Sequence, residues 1–169
     1  ARDAKIKMLR YQLNPHFLCN TLNAINSLIE SELSEKAQQM TVQLSKFLRY
    51  SLDNDPDTKI ALEFEIKALE LYLEIEKTRF GERLQLDFQV STAAKNALIP
   101  SLLLQPIIEN SMKHVIAQNE EGGIISLWAD VIDNMLVLEV SDTGSGKDVD
   151  RNKIKSKTGR GIGLRNIDE

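Results

Sequence analysis

Gln12-Leu13-Asn14-Pro15-His16-Phe17-Leu18-Cys19-Asn20-Thr21-Leu22-Asn23 decides how the rest of the chain is read. At about 100° per residue, His16 and Asn20 fall on one helix face with Leu9 and Leu13. Ile6, Leu9, Leu13, Phe17, Ala24 and Leu28 recur at spacings that predict a single long helix. Pro15 inside such a helix removes a backbone hydrogen bond and costs about 3 kcal/mol, which points to a kink that exposes a side chain. A neutral imidazole nitrogen is a good nucleophile near neutral pH, so His16 reads as a phosphoryl acceptor. The same spacing also reads as a packed histidine hydrogen-bonded to Asn20.

Outward from this stretch, the pattern breaks around Glu30 to Ser34. Leu33, Ala37, Met40, Leu44 and Phe47 then repeat in 4-3-4-3 steps, the seam of a second helix. Two helices and a short polar turn make an antiparallel hairpin with too little core to stand alone. Pairing with a second copy into a four-helix bundle is the natural remedy. Asp53-Asn54-Asp55-Pro56-Asp57 is a loop by composition and divides the chain into residues 1–56 and 57–169. Leu62 to Phe80 carries a wide apolar band, which predicts a helix over 62–80 that bridges the two parts.

The texture then changes. Leu84, Leu86, Phe88 and Val90 alternate with polar residues, the pattern of a half-buried strand. Ser101 to Ala117 reads as a helix with Pro106 near its first turn. Ile125 to Val131 and Leu136 to Val140 alternate again around a tight Asp133-Asn134 turn. Lys147 to Lys157 is a lysine-rich loop, and Gly159 to Gly163 precede a helix start at about Leu164. A helical hairpin followed by mixed strands and helices predicts an α+β chain.

Composition bounds the function less tightly. With 42% hydrophobic and 27% charged residues, the 169-residue chain can bury a modest core. A net charge of −4 does not favour wrapping a nucleic-acid backbone, and there is neither a basic helix nor a set of stacking aromatics. The lone Cys19 excludes an internal disulfide framework and a multi-cysteine zinc site, and it fits a reducing compartment. No run approaches the ~20 apolar residues that span a bilayer, and the charged start is no signal peptide. The absence of an initial Met suggests an excised piece of a longer protein.

Three further constellations carry chemistry. In Leu104 to His114, the side chains of Asn110, Lys113 and His114 share a helix face. An amide oxygen there can ligate Mg²⁺, and a lysine one turn on can meet phosphate charge; the same pattern suits a solvated polar face. Ser141-Asp142-Thr143-Gly144-Ser145-Gly146 follows a strand. Its carboxylate can accept the adenine amino proton while glycines let the backbone pass under the ring, and it also reads as a simple turn. Gly159-Arg160-Gly161-Ile162-Gly163 opens a helix, where backbone N–H groups approach phosphate oxygens. It lacks the third glycine and preceding strand of a dinucleotide fingerprint, and the Gly-Lys-Ser/Thr ending of a Walker A loop.

In order and spacing these motifs resemble the sensor histidine kinases of the LytS/YehU type. Pro15 to Leu18 with Asn20 to Asn23 looks like that family's histidine box, and Leu104 to His114 like its N box. Asp142 to Gly146 and Gly159 to Gly163 look like the two glycine boxes of a Bergerat-type ATP-binding domain. Arg49 to Leu52, Tyr72 to Glu76, and Arg79-Phe80 match its linking segments. The resemblance implies a dimerising four-helix bundle followed by an incomplete Bergerat-type α/β sandwich, whose last helix and closing strands would lie beyond Glu169. It implies ATP and Mg²⁺ as cofactors, His16 as phosphoacceptor, Asn110 as magnesium ligand and Lys113 as phosphate contact. His114 and Arg160 would flank the nucleotide, Asp142 would read adenine, and Gly144, Gly146, Gly161 and Gly163 would shape its cradle. The phosphoryl group would pass on to an aspartate of a response regulator, one with a LytTR-type DNA-binding domain by analogy. Asn20 would orient water to dephosphorylate that regulator. The parent protein would sit in the bacterial cell membrane through other regions, with this part facing the cytoplasm.

Besides the end of the chain at Glu169, two departures from the family stand out, and one position bears on a rival class. Phe17 follows the histidine where many histidine kinases place an acidic base, as is usual in this branch; Glu109, beside Asn110, is the candidate acid/base by proximity. Cys19 stands where the family often has a bulky aromatic. Pro106 occupies the place of the glutamate with which gyrase-, Hsp90- and MutL-type ATPases activate water, which argues against hydrolysis. The remaining alternative is a degenerate, non-catalytic dimerisation and docking module.

Overall fold

The structure, a computed structural model, describes residues 14–53, 58–117 and 120–143. Helix α1 (Pro15–Glu30) starts at Asn14, whose Oδ1 accepts from the N–H groups of His16 (3.1 Å) and Phe17 (3.4 Å). Pro15 is therefore the first helical residue and not an interior one. This corrects the expected kink: at that position the missing N–H would have had no helical partner anyway, so proline fits without penalty. A turn over residues 31–33, with Glu32 at φ 60°, reverses the chain. Leu33, expected on the seam of the second helix, instead serves this turn. Its N–H donates to the Leu28 carbonyl at 2.8 Å and its side chain is exposed.

Helix α2 (Ser34–Asp53) buries Ala37, Met40, Leu44 and Phe47, a stripe that follows the helical period. Helix α3 (Leu62–Phe80) runs antiparallel to it. The Tyr50 hydroxyl donates to the Phe64 carbonyl (3.0 Å), and Thr78 Oγ1 to Gln43 Oε1 (3.1 Å). The three helices meet at three rings. Phe17 of α1 lies 5.4 Å from Phe47 of α2 and 4.8 Å from Tyr72 of α3, with Phe47 and Tyr72 6.2 Å apart. Such separations add edge-to-face attraction to the burial of large apolar surface.

Two sheets follow. Strands β1 (Lys59–Ala61) and β3 (Leu98–Pro100) pair antiparallel with Ile60 opposite Ile99. The larger sheet has the order β2 (Leu84–Val90), β4 (Gly123–Ile132), β5 (Met135–Asp142). β2 and β4 are parallel, and β4 and β5 form a hairpin. Asp133 and Asn134, both at positive φ, give that hairpin the twist its two-residue turn requires. Ile125, Leu127, Ala129, Leu136 and Leu138 are buried, while residues between them are more exposed. Gly122, at φ 80°, lets the start of β4 approach the end of the short 3₁₀ turn Gly81–Arg83: a Cβ there would fall 1.9 Å from the Arg83 carbonyl oxygen.

The expected helix over 101–117 is shorter. Only Gln105–Met112 (α5, after the single-turn helix α4, Thr92–Lys95) is α-helical, and Lys113–Ala117 widens into a π turn. Leu102, at φ 61°, keeps the preceding segment out of the helix. Buried side chains from α1, α2, α3, α5 and both sheets form one continuous core. No helix among the described residues is long and apolar enough to cross a membrane.

Phe47→Ala removes the ring common to α2 and the aromatic cluster. It is expected to destabilise the protein by about 3–5 kcal/mol, read as a lower urea midpoint with the far-ultraviolet spectrum retained.

Candidate active site

Helix α5 is placed by a remote carboxylate. Its N-cap, Leu104, has no side chain able to accept a hydrogen bond. Glu65 of α3, only 2% exposed, supplies the acceptors: Oε2 takes the Leu102 N–H and Oε1 the Leu104 N–H, both at 3.0 Å. The Gln105 N–H also bonds to this carboxylate. Helix N-termini leave such donors unpaired and carry partial positive charge, so a carboxylate is the apt partner. Burial raises the carboxyl's pKa above its ordinary 4.5, and the three backbone hydrogen bonds pull it partly back.

From that anchored start, α5 presents half-buried Glu109 and exposed Asn110, then Lys113 and His114 on the π turn, both exposed. His114 Nδ1 lies 3.8 Å from Asp142 Oδ2 at the end of β5. The residue after Asp142 is fixed to the sheet: Thr143 N–H donates to the Ile124 carbonyl (3.1 Å), and Thr143 Oγ1 accepts from the Ile124 N–H (3.0 Å). Two of the sequence-predicted groups, on separate elements, thus meet at one place. Among the described residues the Asn110 amide engages no partner. One amide oxygen on an open helix face suits an ion that keeps most of its water and phosphate ligands, as Mg²⁺ does. No group of three His, Cys, Asp or Glu side chains among the described residues makes a protein-only metal cage.

The imidazole of His16 is exposed and not packed, and Asn20 Nδ2 stands 3.2 Å from its Nδ1. The hydrogen bond to Asn20 is therefore present without the burial that would seal the ring. Glu109 reaches towards this helix. Its Oε2 accepts from Asn14 Nδ2 (3.4 Å) and its Oε1 from Gln105 Nε2 (3.2 Å). Close by, Glu76 pairs with Arg79 at 2.8 Å. Burial pushes the Glu76 carboxyl up, and Arg79 opposes the shift. Burial also raises the Tyr72 hydroxyl, helped by the charges of Glu76 and Glu109. Gly144, Gly146, Arg160, Gly161 and Gly163 lie outside the described residues.

The comparisons with known proteins agree with the class these motifs suggest. The family model described as "Histidine kinase" matches residues 4–84. The chain is 36% identical over 172 residues to Sensor protein LytS of Staphylococcus haemolyticus, covering 98% of this chain and 29% of that protein. It is 34% identical over 170 residues to Sensor histidine kinase YpdA of Escherichia coli, covering 99% of this chain and 30% of that protein. It is 32% identical over 172 residues to Sensor protein LytS of Enterococcus faecalis, with 98% and 29% covered. The chain belongs to the sensor histidine kinases of the LytS type, and spans under a third of the length of the relatives it matches.

Glu65, Asn14 and Thr143 were not singled out by motif. For Glu65 a signal existed: it lies three residues after Leu62 and four before Leu69, a charge on the buried face of an apolar helix. Glu65→Ala leaves buried backbone donors unpaired, at a cost of about 1–3 kcal/mol for each donor water does not reach. Because the folded carboxyl holds its proton more tightly than the unfolded one, its contribution is complete below 4.5 and is lost as pH rises through the raised value. Glu65→Gln should make the fall in stability with rising pH shallower, as followed by urea denaturation from acid to neutral pH.

Proposed function

We propose that this chain is the catalytic segment of a two-component sensor kinase that takes the γ-phosphoryl group of ATP onto His16 and passes it to a response-regulator aspartate. The observation that carries the reading is the exposed His16 imidazole, two residues from an N-cap hydrogen-bonded to the helix that bears Asn110. In this reading residues 1–56 form the histidine-bearing domain and 57–169 the greater part of a Bergerat-type nucleotide domain, with α3 bridging them. Leu22 and Ile29 of α1 are 57% and 58% exposed and line up with half-buried Leu18 and Ile25. This unpartnered apolar stripe supports a homodimeric four-helix bundle.

Asn110 would hold Mg²⁺, Lys113 would meet phosphate oxygens, and Asp142, 3.8 Å from His114, would accept a hydrogen bond from the adenine amino group. Gly144, Gly146, Gly161, Gly163 and Arg160 complete the nucleotide cradle. Magnesium ATP supplies the phosphoryl group and the neutralising charge. The protein's share of catalysis is positioning, since phosphoryl transfer asks for little covalent chemistry from side chains. Glu109 is the candidate base for the imidazole proton. The response regulator, of LytTR type by family analogy, receives the group next. The whole protein reaches the bacterial cell membrane through regions outside this segment, and nucleic acid is contacted only by the regulator.

Incubating the full-length kinase with γ-labelled ATP should give an acid-labile, base-stable label. His16→Gln should abolish it, and Asn110→Ala should lower its rate by at least about 100-fold (about 2.7 kcal/mol). Nucleotide binding without any label would favour a non-catalytic docking module.

Asn20, one turn after His16, orients the water that dephosphorylates the regulator. With pre-phosphorylated regulator, Asn20→Ala is expected to slow kinase-stimulated loss of phosphate by about 10-fold or more, within the range of a positioned polar catalyst. An unchanged rate removes Asn20 from that role.

A further inference from the structure

We propose that Asn14 is a positioning residue that latches the helix bearing Glu109 and Asn110 onto the helix bearing His16; its catalytic consequence rests on the kinase reading above. A single amide works at both ends. Its Oδ1 caps α1 by accepting from the N–H groups of His16 and Phe17, and its Nδ2 donates to Glu109 Oε2 at 3.4 Å. Among the described residues this is the side-chain hydrogen bond that joins the start of α1 to α5. Glu109 is itself oriented, because Gln105 on the same helix donates to its other oxygen at 3.2 Å.

Three features make this contact more than an incidental surface bond. First, the cap lies two residues from His16, so a group fixed to Asn14 is fixed relative to the imidazole without a flexible intermediary. Second, the negative Glu109 stands at the positive N-terminal end of α1, where the helix field favours it. Third, the backing is rigid. Phe17, capped by the same Oδ1, packs its ring 4.8 Å from that of Tyr72, and Tyr72 feels the charges of Glu76 and Glu109. Glu65 at the other end of α5 fixes that helix to α3 through the Leu102 and Leu104 N–H groups. The chain of contacts runs from α3 through α5 to the cap of α1.

Only a side chain with an acceptor for the cap and a donor for the carboxylate fits. Aspartate is as good a cap but brings a second negative charge against Glu109; serine keeps the cap and loses the reach. The kinetic signature of a positioning role is a fall in kcat with KM for ATP preserved, because the nucleotide cradle is untouched.

The test uses the full-length kinase with Cys19→Ser and spin labels on cysteines introduced at Ser27 of α1 and Glu120, both exposed. Pulsed electron spin resonance gives the distribution of distances between them. With labelled subunits diluted in an excess of unlabelled ones, so that distances within one subunit are read, the otherwise unaltered protein should show one narrow distribution. Asn14→Asp should broaden it and lower kcat at least 10-fold, with KM for ATP within twofold. Asn14→Ser, free of charge repulsion, should broaden it as well. In the exchanged pair Asn14→Asp with Glu109→Gln, the new amide donates to the new carboxylate, and the narrow distribution should return even where kcat does not. An unchanged distribution in both single variants, or no recovery in the exchanged pair, overturns the latch. A narrow, Asn14-dependent distribution in a protein that forms no acid-labile label upholds the latch as a structural device and removes the kinase reading on its own.

Discussion

Phe17, Phe47 and Tyr72 impose the constraint on which the arrangement of the chain depends. Each ring comes from a different helix, and each helix serves a different part. α1 carries the histidine, α2 returns the hairpin, and α3 continues into the sheet and α5. Phe17 follows His16 directly, so burying its ring turns the adjacent imidazole outward. On a helix, neighbouring residues point about 100° apart, and a deeply buried side chain fixes where its neighbour must point. The exposure of His16 is thus a product of the core and needs no kink. The proline that seemed to demand one sits where the helix begins.

A second constraint is electrostatic. Helix α5 starts after a residue in left-handed conformation and has no capping side chain of its own. Glu65 fills that need from another helix. Burial opposes its charge and three backbone N–H groups favour it, so the carboxylate is held at the helix start by the donors it satisfies. Asn14 does the corresponding work for α1 with a neutral amide, and its remaining donor is available for Glu109. Both helices that carry candidate chemistry therefore begin at polar side chains with partners on other elements, which couples their positions through short, directional bonds.

Much of this was legible in the sequence because periodicity reports burial. The apolar band over 62–80 matches the limits of α3, and the alternation at Leu84 to Val90 and around Asp133-Asn134 gives the strands and their turn. The misreadings share a cause: hydrophobic period does not fix helix ends. Leu33 fits the seam by spacing but is taken by the turn, and Ser101 to Leu104 continue an apolar run yet stay out of the helix, with Leu102 left-handed, the Ser101 N–H given to the Thr58 carbonyl, and the Leu102 and Leu104 N–H groups given to Glu65. The small sheet of β1 and β3 was not foreseen, since three-residue strands are too short to show alternation. At the candidate site, the residue types could be read from the motifs. The approach of His114 to Asp142 and of Asn14 to Glu109 could not, because residues 28 and 95 positions apart are brought together only by the sheet and the aromatic cluster.

In the kinase reading proposed above, the contact between Asn20 and His16 bears on which ring nitrogen would accept the phosphoryl group. A neutral imidazole carries one proton, and the nitrogen without it holds the nucleophilic lone pair. With the Asn20 amide nitrogen facing Nδ1, as in the structure, Nδ1 is the acceptor and the proton resides on Nε2. Rotating the same amide by half a turn presents its oxygen, moves the proton to Nδ1, and leaves the Nε2 lone pair directed at solvent. Asparagine permits both states at the same spacing, whereas a carboxylate would enforce the second and an alkyl side chain neither. In the first state a base is needed to free Nε2; in the second the imidazole is ready to react and sheds the Nδ1 proton afterwards. In the kinase reading, Asn20 on one side of His16 would set which nitrogen holds the proton, and Glu109, hydrogen-bonded to Asn14 on the other side, is the candidate to take it from Nε2 in the first state.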